Sequence, residues 1–187
     1  MRRGFLALLG MTLVAAGCGF FSRTKNSFYS LERIPGTAVT AHGLPVGIDG
    51  LELPPGFDRR DIVVRKADHQ LDVRNTQQWS AALEPAVLHT LAFNLASRLP
   101  EGMVILPGQA KPLGAVRAID VAVEEFAAGP ENVVVLDARW IVRETGKSDI
   151  AHHERILIDI ASLESASVAD GFSRALAALA DRMAAEL

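Results

Sequence analysis

The sequence predicts an α+β fold, a mostly antiparallel sheet with two amphipathic helices packed on one face. Two observations carry this. Three runs in the second half alternate apolar and polar residues with period two, and two longer stretches repeat apolar residues every three or four positions. The alternation marks antiparallel strands with one buried and one wetter side. The longer repeats mark helices that each bury one stripe on a sheet.

Taken in order, Phe28 to Leu31 reads as a short first strand, Pro35 to Gly43 as a loop, and Leu44 to Leu51 as a second strand. Leu53-Pro54-Pro55-Gly56 stops that strand. Ile62 to Arg65 and Leu71 to Arg74 flank a polar turn at Ala67 to Gln70, the pattern of a hairpin. The period then changes, with Trp79, Leu83, Val87, Leu91, Leu95 and Leu99 every four residues. Pro85 fits the first turn of a helix but not its interior. A turn around Trp79 to Leu83 and a helix over 84–98 follow, ended by Pro100-Glu101-Gly102. Ile119, Val121 and Val123 then share a face, with Asp120 and Glu124 opposite. Val134, Leu136, Ala138, Trp140 and Val142 share another, opposite Asp137, Arg139 and Arg143. Ile150, Ile156, Ile158 and Ile160 share a third, with Arg155 and Asp159 pointing away. Gly129 to Asn132 and Gly146 to Asp149 supply the turns. The stripe Val168, Phe172, Leu176, Leu179, Met183, Leu187 forms the last helix.

The N-terminus has the three zones of an export signal: Arg2 and Arg3, an apolar run from Phe5 to Val14, and the small residues Ala15-Ala16-Gly17. The apolar run is about half the roughly 20 residues that a membrane-spanning helix needs. Leu13 to Cys18 resembles the lipobox of bacterial lipoproteins, in which the cysteine thiol receives a diacylglycerol before the signal is cut; Ala15 stands where that motif prefers Leu. Cys18 is the only cysteine of the chain. In an exported protein such a thiol has no intramolecular partner, and lipidation consumes it. One acyl chain anchors marginally and several hold firmly, so palmitate-type acylation beside the diacylglycerol is expected. Gly19 is not the Asp that marks inner-membrane retention in enteric-type bacteria, which favours the outer membrane. The organisation expected is a signal peptide over 1–17, a lipidated cysteine and short tether over 18–26, and one domain over 27–187.

The formal charge of -3 argues against a nucleic-acid partner, which selects basic surfaces. Catalytic constellations are thin. His42, His69, His89, His152 and His153 lack metal-ligand spacing, and His152 and His153 leave opposite faces of a strand. Glu124 and Glu125, as strand neighbours, are expected to diverge. No nucleophile elbow, phosphate-binding loop or dinucleotide fingerprint occurs. The reading is a non-enzyme with no cofactor and no metal.

Leu53 to Arg60 stands apart as a loop stiffened by two prolines and a glycine, carrying Phe57, Asp58, Arg59 and Arg60. Such loops on rigid scaffolds often carry function, and this one is a candidate partner contact. Asp58 bonding its own backbone is the competing structural account.

Residues 53–65, Leu-Pro-Pro-Gly-Phe-Asp-Arg-Arg-Asp-Ile-Val-Val-Arg, resemble the Leu-Pro-x-x-Leu-Asp-Arg-Pro-x-Ile-Val-x-Arg stretch of ABC-type transport auxiliary lipoproteins, the PqiC-like family. Phe28-Tyr29-Ser30-Leu31 is similar to that family's Tyr-Tyr-x-Leu, Trp79 falls where its tryptophan does, and Leu95 to Pro100 is similar too. Arg60 replaces the usual Pro, Phe57 a Leu, and Gln78 an Arg. The resemblance implies a non-enzymatic periplasmic component of an intermembrane lipid-transport system, held at the outer membrane. Its partners would be an MCE (mammalian cell entry) domain protein and an inner-membrane permease with its ATPase. The loop over 54–60 is expected to touch either the MCE-domain protein or a neighbouring copy of the chain in a homo-oligomer. A lipid-binding carrier and, behind it, an envelope hydrolase are the alternatives.

Replacing Cys18 with Ser is expected to leave the signal uncleaved by the lipoprotein peptidase and to abolish labelling by a radioactive fatty acid. Normal processing and labelling of that variant would remove the anchor.

Overall fold

The computed structural model describes residues 25–187; the expected signal peptide over 1–17 and Cys18 lie outside the described residues. The elements are β1 (Ser27–Tyr29), β2 (Val46–Glu52), β3 (Asp61–Arg65), β4 (Leu71–Trp79), α1 (Leu83–Ala96), β5 (Val104–Ile105), β6 (Arg117–Gly129), β7 (Val133–Glu144), β8 (Ile150–Asp159) and α2 (Ser165–Ala185). All eight strands join one sheet. Both helices pack on one face and share a core with it.

The α+β class and the two helices stand as expected, but the sheet is mixed. Parallel pairings outnumber antiparallel ones: β1–β4, β2–β5, β2–β6 and β3–β6 are parallel, whereas β3–β4, β6–β7 and β7–β8 are antiparallel. The reason is connection length. Short turns join the antiparallel pairs, as in any hairpin, while strands brought together over longer connections can run the same way. Alternation within a run says nothing about the direction of a neighbour distant in sequence.

The buried face of β7 follows the sequence, and that of β8 does so only in its second half: Ile158 is half-buried and Ile150 is exposed. Val134, Leu136, Ala138, Trp140 and Val142 are buried, and Ile156 and Ile160 join them. In β6 the register slips between Val123 and Glu125. This bulge reverses the phase of the strand, so the core side passes from Ile119, Val121 and Val123 to Phe126 and Ala128. Phe126 thereby stacks on Phe172 of α2 at 4.0 Å between ring centroids. Gly171 lets α2 lie close to the sheet, since a Cβ there would meet Ile160 at 2.4 Å and Val134 at 2.7 Å.

β4 runs further than expected, with Trp79 as its last residue rather than a turn leading into a helix. The polar stretch Asn75 to Gln78 hides the strand from a hydrophobic pattern, yet Gln77, Gln78 and Trp79 pair with Ser27, Phe28 and Tyr29 of β1. α1 starts at Leu83 with Pro85 in its first turn, as that residue requires. It is apolar on several sides because residues 31–39 cover it. Ile34 N–H donates to the Asn94 side chain at 2.9 Å and Val39 N–H to Arg98 O at 2.8 Å. The Arg33 guanidinium lies 3.4 Å from the Phe93 ring centroid.

Arg98 fastens this layer. Its side chain is 2% exposed and bonds Asp181 of α2 at 2.5 Å, Ile34 O at 3.0 Å and Asn94 O at 2.8 Å. A buried guanidinium is tolerated because its donors find acceptors and it sits at a helix C-terminus, where the dipole favours a cation.

Trp79 is 3% exposed and stacks on Phe172 at 5.5 Å, which ties the β1–β4 edge to α2. Trp79→Ala is expected to cost about 3–5 kcal/mol, the range for core aromatic truncation. Denaturant melts check this, and a loss under about 0.5 kcal/mol would contradict it.

Candidate functional site

The segment from Leu53 to Arg60 occupies a junction that β6 creates. β7 covers one edge of β6 along its whole length. On the other edge β2 pairs with Arg117 to Ala122, and β3 pairs further on, Val64 opposite Ala128. Two strands therefore lie end to end along one edge. Residues 53–60 are the excursion between them, and they leave the sheet beside the bulge at Glu124.

The loop is closed by its own backbone. Phe57 N–H donates to Pro54 O at 3.2 Å and Arg59 N–H to Phe57 O at 2.8 Å, with Gly56 at φ 88°. Only glycine takes that left-handed value without strain. Asp58 is exposed and, among the described residues, its carboxylate makes no bond to the turn. The competing account of Asp58 pinning its own turn is not seen; Asp61 instead accepts from the side chains of Arg59 at 3.1 Å and Gln78 at 2.8 Å. Arg60 is fixed at its base: Trp79 N–H donates to Arg60 O at 2.7 Å, and the Arg60 guanidinium reaches Ser80 O at 3.2 Å. The four candidate residues are thus contiguous, with Asp58, Arg59 and Arg60 exposed and Phe57 half-buried.

Phe57 connects the loop to the open face of the sheet. The Arg65 guanidinium lies 5.8 Å from its ring centroid, within cation–π range. Arg65 bonds Glu125 at 2.5 Å, and Glu125 also holds Arg155 at 3.1 Å. Arg155 and His153 both reach Asp137 at 2.7 Å. Arg139 bonds Glu124 at 3.0 Å, and Arg143 pairs with Asp120. Four carboxylates and four guanidiniums thus alternate across β3, β6, β7 and β8. Burial pushes the Asp137 carboxyl up, but the hydrogen bonds and charges of His153 and Arg155 prevail and hold it below the usual range. The hydrogen bond to Asp137 raises Arg155.

Sequence reasoning expected Glu124 and Glu125 to diverge, and the bulge overturns that: both engage arginines on the open face. His152 and His153 do part company. His152 stacks on Trp140 at 5.0 Å on the helix side, while His153 joins the charged row. Ligand atoms of Glu124, Asp137 and His153 lie within 4.8 Å of one another. These three could hold a small cation, although Arg139 and Arg155 already neutralise the two carboxylates. A second feature was invisible in sequence because its residues are scattered. An open cleft of about 520 Å³ is lined by Tyr29, Arg74, Gln77 and residues 163–166. In it Arg74 donates to Ser165 Oγ at 2.8 Å at the start of α2.

The family model described as ABC-type transport auxiliary lipoprotein component matches residues 29–184. The chain belongs to this family. Its fold is shared by a crystal structure of an uncharacterised protein, 21% identical with a TM-score of 0.68, over 87% of this chain and 98% of that one. Protein XCC0632 from Xanthomonas campestris is similar at 12% identity and a TM-score of 0.64, over 84% and 92%. No curated protein matches. The stretch that carries the family resemblance, residues 53–65, is the segment that builds the junction. Its Asp-Arg step stands at the loop tip, and its Ile-Val-x-Arg portion is β3, with both Ile62 and Val63 buried. Where the family often has an Arg, Gln78 bonds Asp61.

Proposed function

We propose that this auxiliary lipoprotein is a non-enzymatic adaptor. Lipid on Cys18 holds it at the periplasmic face of the outer membrane, and its folded part, residues 27–187, docks an MCE-type conduit of an ABC intermembrane lipid-transport system. The observation that carries the reading is the family match over nearly all of the folded part, standing directly behind a lipobox-like Cys18. Among the described residues no helix is long and apolar enough to cross a membrane, so attachment through lipid suits the chain. The space between helices and sheet is filled by Trp79, Phe126, Trp140 and Phe172, which favours an adaptor over a carrier that must enclose an acyl chain. The partners in this reading are the MCE-domain protein, the permease with its ATPase, and further copies of the chain.

The loop tip is the proposed contact. Its backbone closure and two prolines keep the ordering cost of binding small. Phe57 supplies an apolar anchor, and Arg59 and Arg60 present multi-donor heads suited to carboxylates. The charged row behind it fixes Arg65 and hence Phe57.

Phe57→Ser combined with Arg60→Glu tests this. The expected result is about a tenfold loss of co-purification with the MCE-domain protein. The melting temperature should fall by no more than about 4 °C, the equivalent of about 1 kcal/mol at this size. If melting falls further while recovery per folded molecule is unchanged, the loop is scaffolding only.

A further inference from the structure

β8 is an edge strand. It pairs with β7, and among the described residues nothing pairs with its other side. The Ile160 N–H bonds Asn132 O on the β7 side, at 2.8 Å. Backbone direction alternates along an antiparallel ladder, so Asp159, Leu157, Arg155 and His153 turn their N–H and C=O groups outward. The Asp159 carbonyl accordingly accepts from the Arg174 side chain, at 2.9 Å, rather than from β7. A long edge of this kind is a template for another strand unless something blunts it.

The two halves of the edge differ. In the first half, His152 and Glu154 point to the helix side, beside Glu186 at 3.9 Å and Arg182 at 4.0 Å. Inward charges of this kind oppose strand addition. In the second half, Ile156 and Ile158 face the helix side, while Leu157 stands on the open side with 61% exposure. Leu157 also ends an apolar row that crosses the open face. Val73 pairs with Val63, Val63 neighbours Ala127, Ala127 pairs with Val135, and Val135 with Leu157.

We propose that the second half of β8 pairs antiparallel with β8 of a second copy about a twofold axis through Leu157. Charge selects this register. With Leu157 opposite Leu157, Arg155 of each copy stands opposite Asp159 of the other, twice over by symmetry. Ile156 then meets Ile158 on the helix side, and the apolar row continues into the second copy. Moving the twofold axis to Ile156 or Ile158 leaves Arg155 or Asp159 opposite Leu157, and moving it to Arg155 or Asp159 sets like charges against each other. Arg155 keeps donors for this contact because a guanidinium has five and half of its side chain remains exposed. The Asp159 carbonyl, with two lone pairs, accepts the partner strand's N–H beside the Arg174 side chain it already holds. The pairing names a contact for the self-association in the proposed function, and it holds or fails independently of the transport partners.

Leu157→Cys in the full-length chain, in its own membranes, tests the pairing. Residues that exchange both hydrogen bonds stand about 5.5 Å apart at Cα, inside the range of a disulfide. Mild oxidation should give a reducible covalent dimer in the Leu157→Cys chain. Neither the unmodified chain nor Ile150→Cys, comparably exposed at the start of β8 but beyond the proposed pairing, should give one. Adding Asp159→Lys to Leu157→Cys should cut the cross-linked fraction about tenfold, since like charges then oppose. A Leu157→Cys chain that cross-links no more than Ile150→Cys, or that is indifferent to Asp159→Lys, overturns the proposal.

Discussion

One strand with three neighbours sets the shape of this protein. β6 gives one edge entirely to β7 and divides the other between β2 and β3. Dividing an edge forces the chain to leave the sheet and return, and residues 53–60 are that departure. The bulge at Glu124 lies at the same level. It carries Phe126 inward to Phe172 and leaves both Glu124 and Glu125 outside to meet Arg139, Arg65 and Arg155. The aromatic contact with α2 and the charged row follow from the bulge, and the loop follows from the divided edge beside it. Such bulges re-aim side chains where a regular ladder cannot.

The helix side depends on a second constraint, the buried Arg98. Its bonds reach the covering segment, the end of α1 and Asp181 of α2. Gly36 belongs to the same arrangement, since a Cβ there would meet the Arg98 side chain at 2.4 Å. Removing one partner of a satisfied buried charge is costly because the other is left without water or a bond. The core between helices and sheet is thereby closed, and recognition is left to loops, edges and the open sheet face.

Much of this was legible in the sequence. Period-two alternation located β6, β7 and β8 and their buried faces, and the four-residue stripes located α1 and α2. Pro85 indicated where α1 begins. What was hidden shares a cause: it depends on pairing rather than on pattern. β5 is two residues long, Val104–Ile105, too short to alternate. The end of β4 is polar because β1 supports it through backbone bonds. Parallel directions arise from connections, and the bulge shows only once Phe126 is found inside. At the loop, the tip residues Asp58, Arg59 and Arg60 were recognisable as exposed turn chemistry, but their place at a divided edge was not. The charged row could not be assembled from sequence because Arg65, Glu125, Asp137 and Arg155 lie on four strands. Their register decides everything.

The central claim is that a lipid-tethered domain docks a transport complex through an exposed surface on a rigid frame. The most direct measurement is in-cell photocross-linking from the loop tip, with a cross-linking amino acid at Asp58 of the otherwise unaltered full-length chain and mass spectrometry of the adducts. Asp58 is exposed and bonds nothing in the turn, so the probe leaves the fold intact. The account predicts adducts to an MCE-domain protein of the same envelope, lost when Cys18 is replaced by Ser. Folded, membrane-anchored chain that yields no adduct to any component of an ABC transport system would contradict it.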